Sequence, residues 1–239
     1  RRKNQYAKFI VTNCLMKKWL PYIITIIVVV GLGALIIAAN KRIPRRMDER
    51  ITLREKDKNP YGMAAARNLC RSLFPGASIA SDDRRPGYWE TVSSGGSRQA
   101  VFLVANYFNA DISELNELSS FVANGNYVFI IARTFSTEAQ NFFNFSYGQN
   151  VFSQFMGMDD DSLKLSLDPS VSDVNTSFVY PGRKYESWLY SFDSAKTTIL
   201  GRGDEQVNFI RLNKGEGSVF IHSAPLAFSN YFILHKNNI

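Results

Sequence analysis

A run of 20 residues without a charge, Leu20 to Ala39, limits the folds open to this 239-residue chain more than any other feature. In a helix, 20 residues rise about 30 Å, the thickness of the hydrocarbon core of a bilayer. Trp19 and Tyr22 stand at one boundary, where aromatic rings favour the membrane interface. The run is longer than the apolar core of a signal peptide, and the basic residues 41–46 follow it. The sequence therefore predicts one transmembrane helix over residues 19–40.

Small residues recur along one side of this predicted helix. Gly31, Ala34 and Ala38 share a face, and small side chains there would let a second helix approach closely. The same residues are also ordinary components of membrane helices, so both interpretations stay open. The expected partners are the lipid bilayer, through residues 19–40, and other membrane proteins.

The positive charge of the chain is concentrated around this apolar run. The formal net charge is +7, yet residues 1–50 hold 11 Lys and Arg against 2 Asp and Glu, while residues 51–239 hold 17 against 19. Nucleic-acid binding requires a basic face on the domain, so no nucleic-acid partner is expected. Basic residues flank the run on both sides, which leaves its orientation almost undecided. A short basic tail usually stays in the cytoplasm, and this favours a globular domain outside the cytoplasm.

The chain divides by composition into four parts. They are a basic tail over residues 1–18, the apolar helix over 19–40, a charged tether over 41–54 and an α/β domain over 55–239. With 45% hydrophobic residues, the last part is able to form a core of its own.

A β-α-β unit opens the predicted sheet of this domain. Residues 100–105 and 127–132 are continuous apolar runs, typical of strands buried on both faces. Between them, Asp111 and Glu114 have the spacing of a capping box at the start of a helix. Such a unit implies a right-handed parallel crossover. A third apolar strand is predicted over residues 218–222.

The rest of the domain is predicted to contain a helix before the sheet and a β-rich segment within it. Asn59 is placed to cap the first helix, with Pro60 at its first position. Short apolar stretches separated by turn residues indicate a β-rich insertion over about 150–215. The fold class expected from these patterns is α/β, with a doubly wound, mainly parallel sheet.

Ligands of doubly wound sheets bind outside the carboxyl ends of the strands. The candidate binding residues at those ends are Asn106, Arg133, His222 and Ser223. The alternative is that they are ordinary loop residues. The chain has only 2 Cys and 2 His, which is little material for a metal site, and no metal or cofactor is expected.

Two further segments carry a resemblance to a known family. The opening segment, residues 56–62, reads Lys-Asp-Lys-Asn-Pro-Tyr-Gly, and the closing segment, residues 215–231, contains Ser-Ala-Pro and Ser-Asn-Tyr. Together they resemble the motifs of the bacterial domain-of-unknown-function 4350 family. The resemblance implies a membrane-anchored domain similar to class I glutamine amidotransferases. The motifs add four candidate binding residues: Tyr61, Gly62, Asn230 and Tyr231.

Amidotransferase chemistry requires a cysteine nucleophile on a tight turn after a strand, with a histidine base. Residues 133–136, which follow the second strand, contain no cysteine, and Cys70 lies inside the first predicted helix. His222 lies near the position where this fold places its histidine. Because it has no nucleophile to assist, the chain is not expected to be an enzyme.

These observations favour a non-catalytic binding or scaffold module of a bacterial envelope complex. The resemblance places it in the inner membrane, with the globular domain in the periplasm and other envelope proteins as partners. One alternative is a small-ligand sensor that signals through its anchor. The other is a hydrolase that uses His222 with Ser136 or Ser223, although the sequence lacks a G-x-S-x-G motif.

Overall fold

The computed structural model describes residues 21–34, 48, 50–149, 162–172, 177–181, 187–236 and 238. The chain forms two compact units, Arg1–Asp48 and Glu49–Ile239. The predicted packing residue Ala38 and the predicted basic tail lie outside the described residues.

The described part of the first unit is one helix, α1, over residues 21–34. Within the ranges that the structure describes, no helix is long and apolar enough to cross a membrane. The predictions of a transmembrane helix over residues 19–40 and of an inner-membrane location are therefore wrong. Gly31 and Ala34 lie on α1, and their role in helix packing stays a prediction.

The second unit combines nine described strands with four helices. The strands are β1 (Ala100–Phe108), β2 (Tyr127–Phe135), β3 (Ser146–Gly148), β4 (Ser162–Leu167), β5 (Ser177–Pro181), β6 (Trp188–Tyr190), β7 (Thr197–Gly203), β8 (Gln206–Lys214) and β9 (Gly217–His222). The helices are α2 (Ala64–Leu73), α3 (Ile112–Ala123), α4 (Thr137–Phe143) and α5 (Asn230–Ile233), with a 3-10 turn at Pro225–Phe228.

One seven-stranded sheet holds this unit together, in the order β1-β2-β9-β8-β7-β4-β5, while β3 and β6 form a separate antiparallel pair. Only the β1-β2 and β2-β9 pairs are parallel. The remaining four pairs, from β9 through to β5, are antiparallel. The prediction of a doubly wound, mainly parallel sheet is therefore wrong, because the β-rich segment is the larger part of the same mixed sheet.

Two tight turns explain why two of these four pairs, β7-β8 and β8-β9, are antiparallel. Gly203 pairs with Gln206, so that only Asp204 and Glu205 connect β7 to β8, and both have positive φ angles. Lys214 likewise pairs with Gly217 across a two-residue turn between β8 and β9. A parallel crossover needs a dozen or more residues, whereas a two-residue connection forces its strands to run antiparallel.

The β-α-β unit of β1, α3 and β2 forms where the sequence predicts it. The carboxylate of Asp111 accepts a hydrogen bond from Glu114 N at 2.9 Å, and the carboxylate of Glu114 accepts one from Asp111 N at 2.9 Å. This reciprocal pair is the predicted capping box. Gly125 follows α3 with φ +83, a conformation that glycine adopts without strain.

Two hydrophobic clusters lie on the two faces of the sheet. The larger one packs α3 and α4 against the sheet and contains Leu115, Leu118, Ile130 and Ile221. The smaller one joins residues from both ends of the unit, including Leu53, Tyr61, Leu226 and Phe232.

The first helix of this unit differs from its prediction. Helix α2 begins after Met63, and Asn59 and Pro60 lie in the turn that precedes it. None of its residues is buried, and Leu73 at its end is 68% exposed. Ala66, which is half-buried, is its contact with the smaller cluster.

Candidate functional site

The carboxyl ends of β1, β2 and β9 meet at one edge of the sheet. Tyr107 pairs with Thr134, and Ile131 pairs with His222, so β9 ends earlier than its two neighbours. Parallel strands necessarily bring their carboxyl ends to the same edge. The structure therefore places four candidate residues on or just after neighbouring strand ends: Asn106, Arg133, His222 and Ser223.

Two of these residues take part in hydrogen bonds that hold the edge together. The hydroxyl of Thr134 donates to the backbone oxygen of Asn106 at 3.1 Å. The hydroxyl of Ser187 donates to the backbone oxygen of Arg133 at 2.6 Å. In both cases the acceptor is a backbone oxygen. These hydrogen bonds therefore hold the strand ends in place and do not indicate a ligand-binding role.

His222 is buried between aromatic rings. Its ring centroid lies 5.1 Å from that of Phe209 and 5.3 Å from that of Phe228. Its Nδ1 accepts a hydrogen bond from Ala224 N at 3.1 Å. Burial lowers the pKa of His222 to about 4, so the imidazole is neutral at neutral pH. Nδ1 is the unprotonated nitrogen of the neutral ring and would have to act as the base, but it already accepts the hydrogen bond from Ala224 N.

The serines of the hydrolase alternative are also bonded to the backbone. Ser223 is completely buried, and its hydroxyl lies 2.5 Å from the oxygen of Ser187 and 3.3 Å from that of Asn208. Ser136 is the N-cap of α4, where its hydroxyl oxygen accepts from Ala139 N. Neither serine is hydrogen-bonded to His222 in the contacts described here.

The opening and closing motifs, which are separated by more than 150 residues, fold against each other. The Asn230 side chain accepts from Ala65 N at 2.7 Å and donates to Asp57 O at 2.8 Å and to Asn59 O at 2.7 Å. Its backbone N–H donates to Gly62 O at 2.8 Å. We call this arrangement of residues 54–65 and 229–231 the clasp. Asn230 thereby supplies the acceptor that α2 lacks at its own N-cap.

The other motif residues complete the clasp. Tyr231 N donates to Pro60 O at 2.8 Å, and the Tyr61 and Tyr231 rings meet edge to face at 6.3 Å. A Cβ at Gly62 would overlap the backbone oxygen of Asp57, so only glycine fits at that position. The four candidate residues taken from the motifs therefore come together in the structure. The contacts that join them are hydrogen bonds and ring packing within the chain.

Besides these residues, the sheet presents a feature that was not predicted. The Phe102 and Phe129 rings stack at 4.5 Å with 9° between their planes, and the Phe129 and Phe220 rings stack at 4.3 Å with 6°. Tyr127 lies beside Phe220, with ring centroids 6.4 Å apart. Phe102 and Tyr127 are each 41% exposed. We call these four residues the aromatic ladder.

The ladder corrects the prediction that β1 and β2 are buried on both faces. One face packs against α3, but the other leaves Phe102 and Tyr127 open to solvent. A signal for it was present in the sequence, since each of the three parallel strands has a phenylalanine after a valine: Val101-Phe102, Val128-Phe129 and Val219-Phe220. The pairing register aligns these phenylalanines across the sheet.

Among the residues that the structure describes, no group of three His, Cys, Asp or Glu side chains is arranged to hold a metal ion.

Comparison with known proteins found similarity only to solved structures. No protein-family model matches the sequence, and no curated protein matches it. The mmIFT52 N-terminal domain aligns with a TM-score of 0.49 at 12% identity, over 72% of this chain and 84% of that one.

Two glycosidase structures are also similar. A β-galactosidase from Bacillus circulans sp. alkalophilus aligns with a TM-score of 0.39 at 10% identity, over 57% of this chain and 22% of its own. An exo-β-1,4-mannosidase, Op5Man5 from Opitutaceae bacterium strain TAV5, aligns with a TM-score of 0.41 at 15% identity, over 76% of this chain and 30% of its own. This chain thus spans about a fifth to a third of the enzymes that it matches. With TM-scores below 0.5, these similarities carry no argument about function.

Proposed function

We propose that this chain is a non-catalytic protein-binding module and that the aromatic ladder is its binding surface. The observation that carries the proposal is the open, apolar sheet face formed by Phe102, Tyr127, Phe129 and Phe220. Parallel strands are ordinarily covered by helices on both faces, and an exposed apolar patch on a protein marks an interaction site.

At its centre, the ladder favours a protein partner over a sugar or a nucleobase. The ring of Phe129 is stacked on both sides, by Phe102 and by Phe220. It therefore presents an edge and not a face to solvent. Stacking on a planar ligand needs a free ring face, whereas apolar side chains pack well against a row of ring edges.

The non-catalytic half of the proposal is supported by the bonding of the candidate nucleophiles. The Ser223 hydroxyl and the Nδ1 of His222 are both engaged by backbone atoms. A serine nucleophile needs its base within hydrogen-bond reach. The resemblance to the domain-of-unknown-function 4350 family stays a prediction, and the proposal does not depend on it.

Site-specific photo-crosslinking in cells tests the binding surface. A photoreactive phenylalanine analogue replaces Tyr127 or Phe129 on the ladder, and Tyr88 or Tyr190 as controls. The two control tyrosines are also exposed, at 73% and 49%, but lie outside the ladder. The expected result is one discrete protein adduct from the ladder positions and none from the controls. Equal labelling at all four positions, or no adduct from the ladder, would overturn the proposal.

A further inference from the structure

Strand β1 forms one edge of the seven-stranded sheet. Its parallel ladder with β2 begins where Tyr127 N donates to Gln99 O at 2.9 Å. Because alternate residues of a strand direct their backbone groups to opposite sides, the odd-numbered residues of β1 face β2. The N–H and C=O groups of Ala100, Phe102 and Val104 therefore point to the open edge.

This edge lacks the features that normally prevent strands from associating. Residues 100–105 read Ala-Val-Phe-Leu-Val-Ala and contain no charged residue and no proline. Proteins usually protect an exposed edge with lysine, proline or a bulge. The register with β2 is uninterrupted from Ala100 to Ala105. An open, apolar edge of this kind is suited to pairing with another extended strand.

We propose that the β1 edge pairs with the β1 edge of a second copy of this chain, antiparallel and about a two-fold axis at Phe102. The proposal goes beyond the proposed binding function, because it concerns the edge of the sheet beside the ladder and names a second copy of this chain as the partner of that edge. In this register Phe102 faces Phe102, and Ala100 faces Val104. The outward-pointing residues of the two copies then exchange six backbone hydrogen bonds and leave none of their groups unpaired.

The aromatic ladder supports the choice of a second copy as the occupant. Its three phenylalanine rings are spaced at 4.3 to 4.5 Å, close to the spacing of about 4.8 Å between neighbouring strands. The stack ends at Phe102, whose outer ring face has no described partner ring. A two-fold axis perpendicular to the sheet keeps the ladders on one face, so that Phe102 of each copy continues the stack of the other.

The charges that flank the edge are compatible with this pairing. Arg98 precedes β1, and in the proposed register it lies opposite Asn106 and not opposite its own counterpart. No like charges therefore face each other across the interface, which is a condition for a stable strand pair.

The oligomeric state of the full chain tests the proposal, by light scattering coupled to size exclusion. We expect the wild-type protein to be a dimer. Phe102→Lys should raise the dimer dissociation constant by about 100-fold or more, because the axis sets two lysines against each other. Tyr190→Lys is the matched control, since Tyr190 is 49% exposed but lies on β6, outside both the ladder and the seven-stranded sheet. It should remain a dimer.

A charge-swap mixture separates pairing from misfolding. Phe102→Lys mixed with Phe102→Glu should restore a dimer that neither variant forms alone. In a Cys14→Ser, Cys70→Ser background, Phe102→Cys should give a disulfide-linked dimer, because directly opposed residues lie within reach of a disulfide.

Three results would overturn self-pairing. They are a monomeric wild-type protein, a dimer that Phe102→Lys leaves intact, or a charge-swap mixture that stays monomeric. A monomer whose ladder positions still crosslink to another protein would reject self-pairing but keep the proposed function. A dimer of the expected register would support self-pairing, and the crosslinks from Tyr127 and Phe129 test the ladder surface separately.

Discussion

Asn230 bonds its side chain to three backbone groups of a distant segment, and the stability of the clasp depends on it. Its amide reaches Ala65 N, Asp57 O and Asn59 O, and the residue is 6% exposed. Replacement by alanine removes all three bonds. At about 1 kcal/mol for each bond, Asn230→Ala should lower the free energy of unfolding by about 3 kcal/mol, measured by urea denaturation.

Two variants sharpen this prediction. Asn230→Asp keeps an acceptor for Ala65 N but places a carboxylate against two carbonyl oxygens, so it should cost at least as much as alanine. Asn124→Ala removes one exposed bond, from its side chain to Ser94 O, and should cost less than about 1 kcal/mol. Equal costs for Asn230→Ala and Asn124→Ala would refute the structural role of the clasp.

Burial of His222 makes the stability of the protein depend on pH. The pKa of this histidine is lowered from its ordinary value of about 6.5 to about 4. Between these values the unfolded chain binds a proton that the folded chain excludes. The contribution of the neutral His222 to the free energy of unfolding is therefore fully present above about pH 6.5. It is lost as the pH falls to 4, a loss of about 3 kcal/mol.

The measurement is urea denaturation at pH 7 and at pH 4. His222→Gln keeps an acceptor for Ala224 N and should reduce the difference in the free energy of unfolding between the two pH values by about 3 kcal/mol. His235→Gln replaces the other histidine of the chain, leaves His222 in place, and should retain the wild-type difference. An unchanged difference in His222→Gln would contradict the buried, neutral state of this residue.

At the scale of elements, sequence patterns identified what is local and missed what depends on pairing between distant segments. The β1-α3-β2 unit is predictable because its signals are local: two apolar runs with the capping box of Asp111 and Glu114 between them. The apolar stretches of the antiparallel half indicate strands, but their direction depends on two-residue connections that the apolar pattern alone does not reveal.

The candidate site was predictable in part for the same reason. The strand-end residues share an edge because parallel strands always bring their ends together. The clasp joins Asp57 to Asn230 by hydrogen bonds that no periodicity encodes. The ladder required the register of Phe102, Phe129 and Phe220, and an apolar run alone does not tell whether a strand face is covered or open.

At the scale of the whole molecule, the clasp brings the two ends of the second unit together. Residues 49–63 supply Leu53, Tyr61 and Met63 to the smaller hydrophobic cluster, which also contains Leu226 and Phe232. The residues of both clusters lie within Glu49–Ile239. This unit therefore has the cores of an independently folding domain.

A pair of truncations tests this organisation. A fragment of residues 49–239 should unfold in one cooperative transition. A fragment of residues 64–239 lacks three buried side chains, each of which contributes about 1.5–3 kcal/mol to the stability of the folded state. It also leaves the side-chain amide of Asn230 without two of its three hydrogen-bond partners. The combined loss of about 5 kcal/mol or more approaches the whole stability of a typical domain, so this fragment should fail to fold cooperatively. Thermal unfolding followed by circular dichroism measures both, and equal midpoints would mean that the clasp does not support the fold.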